Sequence, residues 1–190
     1  MIDFLNSLSI ELKGDRQILL EKFNSCLTAL KVDSKTFLLR EGEVAKKIFF
    51  IKKGCLRMGF YQDDRDITFQ FFFENEAVSS INSLRSKQPS QFFIESIEPT
   101  ELQYIKVKDF QNLADEFPRM KEMFQEILIK RFSRYAQLFL SFIKDTPTQR
   151  YIDLLNNQPK IIQRVPQHYI ASFLGITPVS LSRIRKRLQK

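Results

Sequence analysis

Near the start of the chain, apolar positions recur at three- and four-residue spacing: Phe4, Leu8 and Leu12, then Ile18, Leu19, Phe23, Leu27 and Leu30. That period predicts one or two short amphipathic helices broken near Gly14. From Val32 to Lys108 the pattern changes. Short apolar runs (Phe37-Leu38-Leu39, Ile48-Phe49-Phe50-Ile51, Leu56 to Phe60, Ile67 to Phe71) alternate with Gly or charged turns at Arg40-Glu41-Gly42-Glu43, Lys52-Lys53-Gly54 and Gln62-Asp63-Asp64. Two more runs follow, Phe92 to Ile97 and Leu102 to Ile105. Closely spaced short strands of this kind predict an antiparallel sandwich or roll.

Helical spacing returns after Lys108. Asp109 suits the cap of a short helix ending at Glu116, and Pro118 suits the first turn of a longer one, where its missing N–H costs nothing. No Gly or Pro interrupts Met120 to Ile143, which predicts about seven helical turns. Two apolar stripes run along this helix: Phe117, Met120, Phe124, Ile127, Arg131, Tyr135, Leu138 and Phe142, and Leu128, Phe132, Ala136, Phe139 and Ile143. A surface helix normally buries one stripe. Two predict one face against its own domain and one against a partner chain, with Met120, Phe124, Ile127, Arg131, Leu138 and Phe142 assigned to the partner. Thr146-Pro147-Thr148-Gln149 then reads as a new helix start, with a capping box and Pro at the first position. Three segments result: 1–117, a β-roll with N-terminal helices; 118–144, the long helix; and 145–190, a helical domain. The class is α+β.

Composition narrows the function. The chain has 190 residues, a net charge of +8 and nineteen Phe. No apolar run is long enough to span a membrane, and the N-terminus lacks the apolar core of a signal peptide. Two cysteines, Cys26 and Cys55, fit a reducing, cytoplasmic compartment better than a disulfide scaffold. With His168 the single histidine, neither a Cys/His zinc site nor a four-cysteine iron–sulfur cluster can be assembled, so no metal is expected. Glu74 and Glu76 make no complete acid/base site, so no catalytic residue is assigned and no enzyme is expected. The charge is segregated. Residues 145–190 hold eight basic residues and two acidic ones, a net of +6. A near-neutral body with a basic end suits a polyanion partner.

The most specific stretch is Gln167 to Lys186, QHYIASFLGITPVSLSRIRK. A helix-turn-helix needs a small residue where its helices touch, Gly in the turn and apolar core positions. Ala171, Gly175, and Ile170, Leu174, Ile176, Leu181 and Ile184 meet those needs. Thr177 can cap the second helix with Pro178 at its first position. In this geometry Val179, Ser180 and Arg183 face base edges, and Arg183 suits a guanine edge. Thr177, Pro178 and Ser182 flank them, while Arg185, Lys186, Arg187 and Lys190 suit phosphates. Double-stranded DNA is the partner these residues predict. A ligand-binding regulatory module whose C-terminal helices mediate protein contacts is the competing class.

This order of roll, long helix and helix-turn-helix resembles the Crp–Fnr family of bacterial transcription regulators. FLLREGEVAKKIFFIKKGCLRMGF is similar to the start of the family's cyclic-nucleotide-binding roll, and IASFLGITPVSLSRIRKRL is similar to its DNA-reading unit. The resemblance implies a homodimer through the long helix, a palindromic site, and RNA polymerase as a further partner. It places an effector pocket at Phe73, Glu76 and Ser90, with Tyr135 from the long helix. The family's cassette has Gly-Glu and then Arg-Ser; here Asn75-Glu76 and Pro89-Ser90 stand in those places. Without the arginine a buried phosphate has no charge partner. Cyclic AMP is therefore not the expected effector. No cofactor is assigned, and an unidentified small molecule is the open slot, with Phe71, Phe72, Phe73, Phe92 and Phe93 suited to an apolar one or to core packing alone. Val179 replaces an acidic residue common in the family, which implies a different half-site. The sequence stops at Lys190 with no evident wing hairpin, so fewer phosphate contacts are expected.

Overall fold

The computed structural model describes residues 16–63 and 65–189. The helical spacing at Phe4, Leu8 and Leu12 lies outside them. The first described helix, α1 (Arg16–Ser25), buries Leu19 and Phe23 and leaves Ile18 half exposed. It ends earlier than the spacing suggests. Leu30 belongs to strand β1 (Thr28–Val32), which pairs antiparallel with β8 (Thr100–Lys106) from Thr28↔Tyr104 to Val32↔Thr100. Pairing with a distant strand outweighs a local helical period that five residues satisfy equally well as a strand.

Between them lie β2 (Phe37–Leu39), β3 (Lys47–Lys53), β4 (Leu56–Gln62), β5 (Arg65–Phe72), β6 (Ala77–Val78), the short helix α2 (Ile81–Ser86) and β7 (Phe93–Ser96). The strands form two four-stranded sheets, ordered β1-β8-β3-β6 and β2-β7-β4-β5. This is the antiparallel β-rich domain that the short runs predict. Helices α3 (Val107–Glu116), α4 (Arg119–Lys144), α5 (Pro147–Asn157), α6 (Pro159–Arg164), α7 (Gln167–Phe173) and α8 (Pro178–Leu188) follow. Pro159 opens α6 directly after α5 ends at Asn157, because Pro is favoured at a first helical position.

The chain divides into two compact units. The first runs up to Arg57 and resumes at Phe72–Lys130; the second is Met58–Phe71 with Arg131–Lys190. The division passes within α4 and gives most of the β4–β5 hairpin to the second unit.

The first unit is held by aromatic and branched side chains. Phe49, Phe50, Ile51, Leu56, Phe93, Ile94, Leu102 and Ile105 are buried, and Phe23 meets Phe50 edge-on at 5.7 Å. Gly54 is required at its turn: φ is +113°, and a Cβ there would lie 2.4 Å from Thr100 Oγ1. Arg57 and Glu95 form a buried charged pair. Arg57 Nε donates to Glu95 Oε2 at 2.6 Å, and the guanidinium lies 4.7 Å from the centre of the Phe93 ring. On the surface, the Lys31 ammonium donates to Glu101 at 2.8 Å across the β1–β8 ladder. That hydrogen bond and charge hold the Glu101 carboxyl below its ordinary pKa. Exposed pairs of this kind contribute little stability.

Candidate nucleic-acid interface and the roll cassette

The second unit is built from the capping box onward. Thr146 accepts from Gln149 N–H while Gln149 reaches back to Thr146 N–H, and Pro147 opens α5. Tyr151 and Leu154 of α5, Ile161 of α6, Ile170, Ala171, Phe173 and Leu174, and Leu181 and Ile184 of α8 are buried. Ala171 is 1% exposed, so the α7–α8 contact has no room for a larger side chain. Gly175 has φ +67° in the turn, and a Cβ on it would sit 3.0 Å from the Phe142 ring. Thr177 Oγ1 accepts Ser180 N–H at 3.1 Å, capping α8 behind Pro178. Gly175→Ala is expected to lower unfolding stability by about 1–2 kcal/mol, the cost of left-handed backbone with a Cβ. Urea denaturation measures this, and an unchanged midpoint would mean that the turn relaxes.

Burial of Leu181 and Ile184 fixes the rotation of α8. Val179, Ser182, Arg183, Lys186 and Arg187 are exposed, and Val179 is 60% so. Val179, Ser182, Arg183 and Lys186 share one face by their three- and four-residue spacing. Thr177 and Pro178 are exposed at the N-terminus of that face. Ser180 is half-buried with its hydroxyl 3.0 Å from that of Thr177, so it belongs to the cap as much as to the reading face. Arg185 is half-buried, and Lys190 lies outside the described residues.

Not every cation of the basic end faces outward. Arg150 donates to the carbonyls of Asp145 at 2.7 Å and Leu174 at 3.0 Å, with its guanidinium 4.6 Å from the centre of the Phe142 ring. It ties the start of α5 to the helix-turn-helix. This charge is structural, which summing charges along the sequence cannot reveal.

The stripe given to a partner chain is the less exposed of the two on α4. Of the residues given to the partner chain, Met120 is buried, Phe124 packs on Phe110 with ring centres 5.5 Å apart, and Phe142 is 41% exposed while touching Gly175 and Arg150. Ile127, Arg131 and Leu138 are half-buried. The exposed stripe follows the other one with Ile129 (64%) in place of the half-buried Leu128: Phe132 is 74% exposed, Phe139 66% and Ile143 67%. With Ala136, its spacing of three, four, three, four is the heptad of a helix–helix seam. The sequence shows two apolar stripes on one helix but does not say which one the monomer uses.

In the roll, the residues named for an effector do not form one cradle. Phe73 is buried, and its N–H is accepted by the Glu76 carboxylate at 2.7 Å, closing a turn. Ser90 is buried, and its hydroxyl meets Ser80 Oγ at 2.8 Å and Phe92 O at 2.7 Å rather than Glu76. Tyr135 is half-buried on the part of α4 that belongs to the second unit. The residues that sequence reasoning passed over are serines. Ser79 donates to Lys47 O at 2.7 Å, and Ser83 donates to Gln88 O at 2.6 Å while accepting from Ala45 N–H. The run Ser79-Ser80 before α2 is the local signal that would have found them. These neutral hydroxyls bond to one another and to backbone, and the buried Arg57 is committed to Glu95. A pocket of about 140 Å³ beside Ser79, lined also by Glu43, Lys46, Lys47, Phe49 and Ile94, is smaller than the 300–1,000 Å³ typical of ligand sites. Pro89 stands where the family's arginine would, so the serines around Ser90 lack the guanidinium that pairs with a cyclic phosphate there. Among the described residues no group of side chains suits a metal ion, and no helix is long and apolar enough to cross a membrane.

Comparison with known proteins supports the same architecture. Residues 29–117 match the family model of the cyclic nucleotide-binding domain. No curated protein matches the sequence. Among solved structures, the chain is similar to the c-di-GMP responsive global regulator CLP of Xanthomonas campestris (19% identity, TM-score 0.76, covering 91% of each chain). It is also similar to a crp/fnr-family transcriptional regulator of Eubacterium rectale (19% identity, TM-score 0.72, covering 95% of this chain and 87% of the other). A third is the catabolite activator protein of Thermus thermophilus (16% identity, TM-score 0.57, covering 96% and 86%). Residues 29–117 thus resemble the cyclic nucleotide-binding domain, and the chain shares the fold of these regulators.

Proposed function

We propose that this chain is a sequence-specific DNA-binding transcription regulator that acts as a homodimer on a two-fold symmetric site. The observation that carries the reading is α8, capped by Thr177 and Pro178, held by Leu181 and Ile184, and presenting Val179, Ser182, Arg183 and Lys186 on one exposed basic face. Such a helix enters the major groove with its early residues on base edges. Arg183 is the one long, forked donor on that face suited to a guanine edge, and Val179 offers an apolar contact to a thymine methyl. Lys186 and Arg187 add phosphate contacts and salt dependence. The exposed Phe132 and Phe139 stripe supports the second copy, and a dimer of helix-turn-helix units reads half-sites about 34 Å apart.

The roll acts as a scaffold or senses a small molecule other than cyclic AMP, a reading that Pro89 in place of the family's arginine supports. Selection of duplexes from a random-sequence pool, followed by binding measured against salt, tests the reading. A recovered palindrome is expected, and binding with no preference over competitor DNA overturns it. On the recovered site, Arg183→Ala is expected to lose about 1–3 kcal/mol of discrimination at one base pair of each half-site while the protein stays folded. Uniform weakening across all sequences would make Arg183 a phosphate contact instead.

A further inference from the structure

We propose that the β4–β5 hairpin is a latch that holds the helix-turn-helix in a state closed to DNA, an inference that rests on the DNA-reading role above. The hairpin and the helix-turn-helix belong to the same compact unit. The Ser172 hydroxyl on α7 is clasped from both sides by hairpin backbone. It accepts Thr68 N–H at 2.9 Å and donates to Asp66 O at 3.3 Å. Beside the clasp, Phe71 of β5 meets Phe173 of α7 with ring centres 5.3 Å apart, both rings buried.

The position of the clasp gives it a consequence. Arg65, Asp66 and Ile67 line one cleft with His168, Tyr169 and Ser172 of α7 and with Gly175, Ile176, Thr177 and Pro178. In a docked helix-turn-helix the first helix crosses the DNA backbone and the second enters the groove by its N-terminus. Helix N-termini and the side chains around them are where phosphates bind. The cleft is therefore the volume that a DNA strand must enter, and the hairpin forms one of its walls. That wall carries the Asp66 carboxylate beside the Arg65 guanidinium, so it closes the cleft by occupying it rather than by net charge. DNA binding then requires the hairpin to leave, which breaks the two Ser172 hydrogen bonds. Each is worth a factor of roughly two to ten in the open–closed equilibrium.

The test uses the full chain and two variants, with a duplex selected from a random-sequence pool in parallel by the wild type and by Ser172→Ala. Ser172→Ala removes the clasp and keeps a small helical residue. It is expected to speed hydrogen exchange at the Thr68 amide and to tighten duplex binding roughly three- to tenfold. Asp66→Asn keeps the backbone clasp and removes the charge. It is expected to tighten binding less than Ser172→Ala does, with the gain confined to low salt and shrinking as salt screens it. A duplex recovered only with Ser172→Ala would also support the latch. Faster Thr68 exchange with binding unchanged or weakened overturns the latch and leaves the DNA-reading role standing. A selection that recovers no duplex with either protein overturns both.

Discussion

Glu95→Leu is expected to destabilise the protein by about 3–5 kcal/mol, because it removes the carboxylate from a buried guanidinium. Arg57 and Glu95 side chains are 2% and 7% exposed, so little solvent reaches the charge when its partner goes. The Arg57 ring contact with Phe93 does not replace a carboxylate, since a cation over an aromatic face contributes about 0.5–2 kcal/mol. Against a typical total stability of about 5–15 kcal/mol, the loss threatens the fold itself. The double variant Arg57→Met with Glu95→Leu is expected to recover most of it, because two apolar side chains of similar volume need no counter-charge. Urea denaturation of the two single variants and the double closes the cycle. A single-variant cost below about 1 kcal/mol would mean that the roll admits water to Arg57, and then its interior is also open to polar ligands. The same experiment therefore bears on whether the roll can take an effector.

What the sequence made legible follows the range of each interaction. Gly175, Thr177 and Pro178 are governed by backbone conformation within a few residues, so turn chemistry and capping rules place them, and the structure has them in those roles. The Thr146 capping box is legible for the same reason. Long-range choices are not. Leu30 satisfies a helical period but pairs across the sheet with Leu102. Ser90 meets Ser80, ten positions away, through the intervening turn of α2, and a motif-spacing argument aimed at Glu76 cannot see that contact. Arg150 counts as one more cation in the basic end until the carbonyls of Asp145 and Leu174 are seen to hold it. The clasp of Ser172 spans more than a hundred residues of sequence and has no local signature at all.

Phe132→Asp combined with Phe139→Asp is expected to give a folded monomer, and the assignment of the two α4 stripes decides that outcome. Both rings are largely exposed, 74% and 66%, so the substitutions should change the stability of an isolated chain by no more than about 0.5 kcal/mol. In a dimer the same rings lie in a heptad seam with Ile129, Ala136 and Ile143, where each buried phenylalanine contributes about 1.5–3 kcal/mol and a carboxylate in its place must be desolvated. A soluble monomer rarely leaves so continuous an apolar stripe in water. Loss of the second copy also removes the gain from engaging two half-sites at once, about 10²–10⁴ in affinity for a palindrome, while single half-site binding persists. Analytical ultracentrifugation and titration of full and half-sites read the two effects separately. Met120→Asp is the contrasting variant: Met120 is 5% exposed, so its replacement should unfold the first unit rather than dissociate a dimer. If the double Phe variant stayed dimeric, the seam would have to run through Ile127, Arg131 and Leu138, and α4 would need to turn its half-buried face away from its own chain to expose it.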